Sequence, residues 1–212
     1  CPMPTAVLTS QTGFKSFYCN DCTDKLDYYT SEWKKLGFQP DGIYTGFLSS
    51  EKQVDKILDF INSFETENTL VLVDPVMGDG GRTYSLFTDA LACKMKKLVT
   101  VADVITPNLT ECCILCDVDY CEFIKNADKP DFMDKIAELG KNLLNRYGVK
   151  IVIITGIEHK DIDGTMYVQN LIASKDEVFS VSCKKIGGSY SGTGDLFASV
   201  MFSGLLRGDT LR

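Results

Sequence analysis

No stretch of this sequence approaches the roughly 20 apolar residues needed to span a bilayer, so no transmembrane helix is expected. A basic segment followed by an apolar one is also missing. Nothing therefore reads as a signal peptide, and a cytoplasmic protein is expected. Lysine and arginine form no stripe. With 22 basic against 29 acidic residues, a net charge of −7 and a pI of about 4.8, the chain is poorly equipped to neutralise a nucleic-acid backbone. A small phosphorylated ligand remains open to it, provided backbone N–H groups, a helix N-terminus or a metal ion supply local positive charge. Linkers, internal repeats and low-complexity segments are absent too, so residues 1–212 are expected to form one domain with a sizeable core.

Histidine is nearly missing, His159 being the only one, whereas cysteine is plentiful at nine. An odd number cannot pair completely. Cys19/Cys22 and Cys113/Cys116 have the C-x-x-C spacing of zinc sites, but Cys113 and Cys116 fall inside an apparent helix beside Ile114 and Leu115. There, reduced cysteine serves as a small apolar residue, and reduced thiols are the expectation for a cytosolic chain.

What is present is an alternation of strands and helices. "TAVLTS" (5–10) reads as a short strand and "QTGFKSFYCNDC" as irregular. Helical spacing follows at Leu26, Tyr29, Trp33 and Leu36, stopped by Gly37. "DGIYTG" is a strand. The next helix opens with Ser50 and Gln53 at capping-box spacing and repeats Val54, Ile57, Leu58 and Ile61 on one face. "TLVLVDP" and "KIVIITG" are near-continuous apolar runs, as strands buried on both faces should be. Between them lie a glycine-rich loop "VMGDGGRT", a helix over 89–99, the strand "DVITPN", and helices around 108–116 and 131–147. "GTMYVQNLIA" and "EVFSVSCKKI" alternate more openly and predict an antiparallel pair at one edge. The pattern predicts an α/β fold, a mostly parallel sheet with helices on both faces, whose ligands bind beyond the C-terminal strand ends.

Three strand ends carry candidate chemistry. Gly192-Thr193-Gly194-Asp195 opens the last helix, where unpaired first-turn N–H groups and the helix dipole attract negative charge. Taken alone, Asp195 could be simply a favourable first-turn acid. "DPVMGDGG" places Asp74 and Asp79 five residues apart in a glycine-rich turn, able to hold Mg²⁺ directly or through water, or to be a plain turn. In "TPNLTE", Thr106 to Glu111, the Asn108/Glu111 pair has capping-box spacing, and the Glu could equally order a hydrated metal. Together these describe phosphoryl transfer, in which positioning and charge neutralisation do most of the work. Neither G-x-x-x-x-G-K-[ST] nor the protein-kinase signature set occurs.

"PTAVLTSQTG", "DPVMGDGG", "ITPNLTE" and "GTGDLFAS", in this order over nearly the whole chain, resemble the pyridoxal kinases, the vitamin B6 branch of the ribokinase superfamily. The resemblance implies a ribokinase-like three-layer sandwich that phosphorylates the 5′-hydroxymethyl group of pyridoxal, pyridoxamine and pyridoxine with ATP. It casts Asp195 as the catalytic carboxylate and Gly192, Thr193 and Gly194 as the anion hole. Asp74, Asp79, Thr106, Asn108 and Glu111 match positions around the ATP phosphates and Mg²⁺, with Asp74, Asp79 and Glu111 on the metal side. Thr155 and Gly156 match a nucleotide-side segment that binds K⁺ in some relatives. Gln11, Thr12, Thr45 and Phe47 fall near the pyridine ring, and a homodimer is implied.

Gln11 stands where many members carry His, and Phe47 where some carry Tyr, both bearing on vitamer preference. The family pattern also has a strand and helix upstream of "CPMPTAVL" and a helix after "GLLRGD", which residues 1–212 lack; if nothing precedes Cys1, the sheet is expected to lose a central strand. Two rivals remain: a hydroxymethylpyrimidine kinase of the sister branch, which usually has Cys where Asp195 stands, and a non-catalytic B6 or nucleotide binder.

Overall fold

The computed structural model describes residues 1–10, 15–188 and 190–212. In chain order, β1 (Ala6–Leu8) and β2 (Cys19–Asp21) lead into α1 (Thr23–Lys35), β3 (Gly42–Thr45), α2 (Glu51–Phe64) and β4 (Leu70–Val73). A small hairpin, β5 (Gly78–Asp79) and β6 (Arg82–Thr83), precedes α3 (Asp89–Val99), β7 (Val104–Ile105), α4 (Leu109–Cys116), α5 (Tyr120–Ile124) and α6 (Phe132–Tyr147). The chain closes with β8 (Ile151–Lys160), β9 (Met166–Ser174), β10 (Val178–Lys184) and α7 (Thr193–Leu206).

Six strands form the central sheet in the order β10-β9-β8-β7-β4-β3. β3, β4, β7 and β8 are parallel, whereas β8, β9 and β10 pair antiparallel, giving the open edge that their looser alternation predicts. The apolar strands serve both faces because successive side chains point oppositely. Val71, Val73, Ile105, Val152 and Ile154 pack beneath α2, α3, α4 and α6; Leu72, Val104 and Ile153 pack with Ala198 and Phe202 of α7. Helices thus cover both faces, α7 alone on the second among the described residues.

The capping residues act largely as their spacing predicts. Asn108 and Glu111 form a reciprocal box at the start of α4. Ser50 caps α2 by accepting from the Gln53 N–H, but Gln53 does not complete the box: its Oε1 accepts from the Ser49 N–H (2.8 Å) and its Nε2 donates to the Thr5 carbonyl (2.7 Å). The buried Gln53 side chain instead ties down the first strand. That strand is shorter than expected and lies outside the main sheet, because it pairs with β2, drawn from the stretch expected to be irregular. The glycine-rich loop is also more ordered than its composition suggests. Gly80 and Gly81, at φ +56° and +78°, make the two-residue reversal of the β5–β6 hairpin.

Candidate active site

The C-terminal ends of β3, β4 and β7, the middle of β8 and the N-terminus of α7 surround an open cleft of about 1570 Å³. Asp74, Asp79, Thr106, Asn108, Glu111, Thr155, Gly156, Thr45, Phe47 and the segment from Gly192 to Asp195 all line it. Of the residues picked out from sequence, Gln11 and Thr12 lie outside the described residues.

At the N-terminus of α7, Gly192 takes the left-handed conformation (φ +85°, ψ 0°) that a Cβ would strain. The first helical bond runs from the Leu196 N–H to the Gly192 carbonyl (3.0 Å). The N–H groups of Thr193, Gly194 and Asp195 therefore have no intrahelical acceptor, an arrangement that can receive an anion. The Thr193 hydroxyl is used otherwise, donating to the Tyr190 carbonyl (3.0 Å) and bracing the loop. Asp195 is exposed on this first turn.

Opposite it, Asp74 follows β4, and its backbone N–H donates to the Thr45 carbonyl (2.9 Å). Burial, and next the negative charge of Asp195, push the Asp74 carboxyl up to about 7. The Thr106 hydroxyl is near enough to temper that rise, yet it forms no hydrogen bond of ordinary geometry. Thr45 Oγ1 and Tyr44 Oη are likewise buried with no partner among the described residues. Three hydroxyls at or near the C-terminal ends of strands thus lack a partner among the described residues, which is unusual for buried polar groups.

The β5–β6 hairpin is held against the start of α4. Asn108 Nδ2 donates to the Gly78 carbonyl (2.8 Å), and the Gly81 N–H donates to Thr110 Oγ1 (2.9 Å). Glu111 is buried and bifunctional: Oε1 accepts from the Met77 N–H (3.0 Å) and Oε2 from the Asn108 N–H (2.8 Å). Burial and the Asp74 charge push its carboxyl up to about 8, against the pull of these backbone donors. The hairpin carries Asp79 into the cleft, with Oδ1 accepting from the Gly80 N–H (2.8 Å). Asp74, Asp79 and Glu111 do not close into a ready-made cage: among the described residues, no three acid, His or Cys side chains sit close enough to share one ion. On the far side, Thr155 is joined to the end of β7 by its N–H to the Pro107 carbonyl (2.9 Å), and Gly156 (φ +70°) sits at an irregularity in β8.

Some residues of the site were not visible in the sequence. Tyr44 reads as one more apolar strand position, yet its hydroxyl stands beside Asp74 and Asp195, and burial, followed by these two charges, pushes the phenol well above its ordinary value. Tyr84 is surrounded by Glu111, Asp79, Asp74 and Asp195, and burial followed by these charges raises it to about 12. Asp21 anchors the β1–β2 ribbon over the cleft through Ser49, Gln53 and the Thr23 N–H. A tyrosine two residues before a strand-end glycine is the one available signal for Tyr44.

Comparison with known proteins gives this site a context. The family described as phosphomethylpyrimidine kinase matches residues 32–212. A Schizosaccharomyces pombe protein provisionally assigned as a pyridoxal kinase is 29% identical over 207 residues, covering 95% of this chain and 57% of that protein. The chain spans about half the length of the curated relatives it matches. Among solved structures, a Bacteroides thetaiotaomicron protein provisionally assigned as a phosphomethylpyrimidine kinase superposes with a TM-score of 0.88 at 38% identity, covering 100% of this chain and 69% of that one. A second crystal form of the same protein contains pyridoxal. Pyridoxal kinase from Lactobacillus plantarum superposes with a TM-score of 0.81 at 25% identity, covering 99% of this chain and 70% of that one.

Proposed function

The chain belongs to the phosphomethylpyrimidine kinase family, and from that premise we propose that it phosphorylates the 5′-hydroxymethyl group of pyridoxal, and of pyridoxamine and pyridoxine, at the expense of ATP. One observation carries the proposal: Asp195 sits on the first turn of a helix whose free N–H groups share a cleft with Asp74, Thr106 and Asn108. The backbone at Gly192, Thr193 and Gly194 would face the transferring phosphoryl group, while Asp195 accepts the proton of the attacking hydroxyl. Thr45 and Phe47 would meet the vitamer, and Thr155 and Gly156 the nucleotide.

Mg²⁺ fits the acids present when held by one or two carboxylates together with phosphate oxygens and water. Asp74 and Asp79 would hold it, and it would supply charge neutralisation at the phosphates. Glu111, with both oxygens committed to backbone N–H groups, supports these ligands by fixing the hairpin and the start of α4. K⁺ near Thr155 and Gly156, a homodimeric cytoplasmic enzyme and a single kinase domain over 1–212 complete the proposal.

The rival pyrimidine kinase shares the family name. Asp195 and the pyridoxal-containing neighbour favour the vitamer. Asp195→Asn should lower turnover by about 10²-fold or more, the share of a positioned base, while ATP binding persists. An unchanged rate removes Asp195 from the mechanism. Faster phosphorylation of hydroxymethylpyrimidine than of pyridoxal by the unaltered protein overturns the substrate.

A further inference from the structure

On β3, Ile43 and Thr45 point toward the helices beneath the sheet, and Tyr44 between them points toward α7. Its ring packs against Phe202, with centroids 6.4 Å apart and planes at 57°. The hydroxyl reaches past the end of the strand to Gly46, where a Cβ would come within 4.0 Å of it. There it is enclosed, without a hydrogen-bond partner among the described residues, in the company of Asp74 and Asp195. The two acids differ in what else attends them. Asp74 has the Thr106 hydroxyl beside it, whereas Asp195, on the exposed first turn of α7, has the Tyr44 hydroxyl beside it. An ionised carboxylate only accepts, so toward either acid the Tyr44 hydroxyl is the donor.

We propose that Tyr44 is a positioning residue for phosphoryl transfer, its hydroxyl donating to one oxygen of Asp195 and turning the other toward the hydroxyl that attacks. A carboxylate on an exposed helix turn rotates freely. A base is effective only when held against the proton it takes. The inference rests on the phosphotransfer activity proposed above and goes beyond it by naming what orients the base.

Tyr44→Phe keeps the ring against Phe202 and deletes only the hydroxyl. In the full chain, with pyridoxal and Mg-ATP, kcat should fall about tenfold, the worth of one hydrogen bond to a charged group, with both KM values unchanged. Tyr44→Leu, which also removes the ring, should lower the melting temperature, and Tyr44→Phe should not. In an Asp195→Asn background, Tyr44→Phe should cause no further loss of turnover. A wild-type kcat in Tyr44→Phe overturns the inference while leaving the phosphotransfer activity standing. So does a change confined to KM, or a Tyr44→Phe protein that melts as low as Tyr44→Leu. A wild-type chain that phosphorylates no vitamer overturns both.

Discussion

Glu111→Gln tests the part of the site that is structural and electrostatic at once. The side chain accepts two backbone N–H groups, from Met77 and Asn108, in a buried position (3% exposed). Glutamine keeps the shape and one acceptor, but its NH₂ must meet the second N–H, leaving a buried donor unsatisfied at about 1–3 kcal/mol. A cost near 2 kcal/mol lowers the melting temperature of a chain this size by roughly 4–8 °C. The pH dependence separates this account from a simple lost hydrogen bond. The Glu111 carboxyl is raised from 4.5 to about 8 in the folded protein, so it binds its proton more tightly folded than unfolded. Its contribution to stability is complete below 4.5 and is lost as pH rises through about 8, by at most about 5 kcal/mol. Glutamine has no such loss. Melting of both proteins in EDTA-containing buffer at pH 5, 7 and 8.5 should therefore show a deficit for Glu111→Gln at pH 5 that shrinks steadily and vanishes or reverses at pH 8.5. A deficit that grows with pH would refute the reasoning, because it would mean that the ionised carboxylate is what the fold prefers.

Gly42→Ala would bring a Cβ to 2.6 Å from Phe202 Cζ and 2.9 Å from Leu206 Cδ2, so these α7 side chains must repack; urea denaturation should show a loss of about 1–3 kcal/mol. Asp74 is raised to about 7, so its stabilising protonated form is lost as pH rises through that value, leaving two ionised acids facing each other. Mg-ATP should consequently raise the melting temperature more at pH 8 than at pH 6, and an equal or larger shift at pH 6 would exclude Asp74 from the cation site.

Much of this fold was legible because its signals are local. Apolar runs at 70–73 and 151–154 mark strands buried on both faces, and Ser50 and Asn108 cap helices whose first turns they precede. What local pattern could not show is partnership at a distance. Gln53 reads as the second half of a capping box because nothing in its neighbourhood reveals Thr5, 48 residues away, as its real acceptor. β2 reads as irregular because three residues, "CND", acquire strand geometry only from pairing with β1. Glu111 matches both a capping box and a metal-ordering acid; the tertiary contact with the Met77 N–H commits its oxygens to the backbone.

The same limit explains why the acids were found and the tyrosine was not. Asp74, Asp79 and Asp195 stand out in sequence because acids in glycine-rich strand-end turns have few other reasons to be there. Tyr44 sits in "GIYT", where an aromatic residue is ordinary strand material, and its ring does pack in the core. Its hydroxyl matters only because α7 returns from more than a hundred residues later to set Asp195 beside it. An acid placed behind an anion-attracting helix turn looks contradictory along the chain. In the proposed reaction the turn's N–H groups and the carboxylate serve different partners, the phosphoryl group and the attacking hydroxyl, and the Tyr44 hydroxyl has both Asp195 and Asp74 as neighbours.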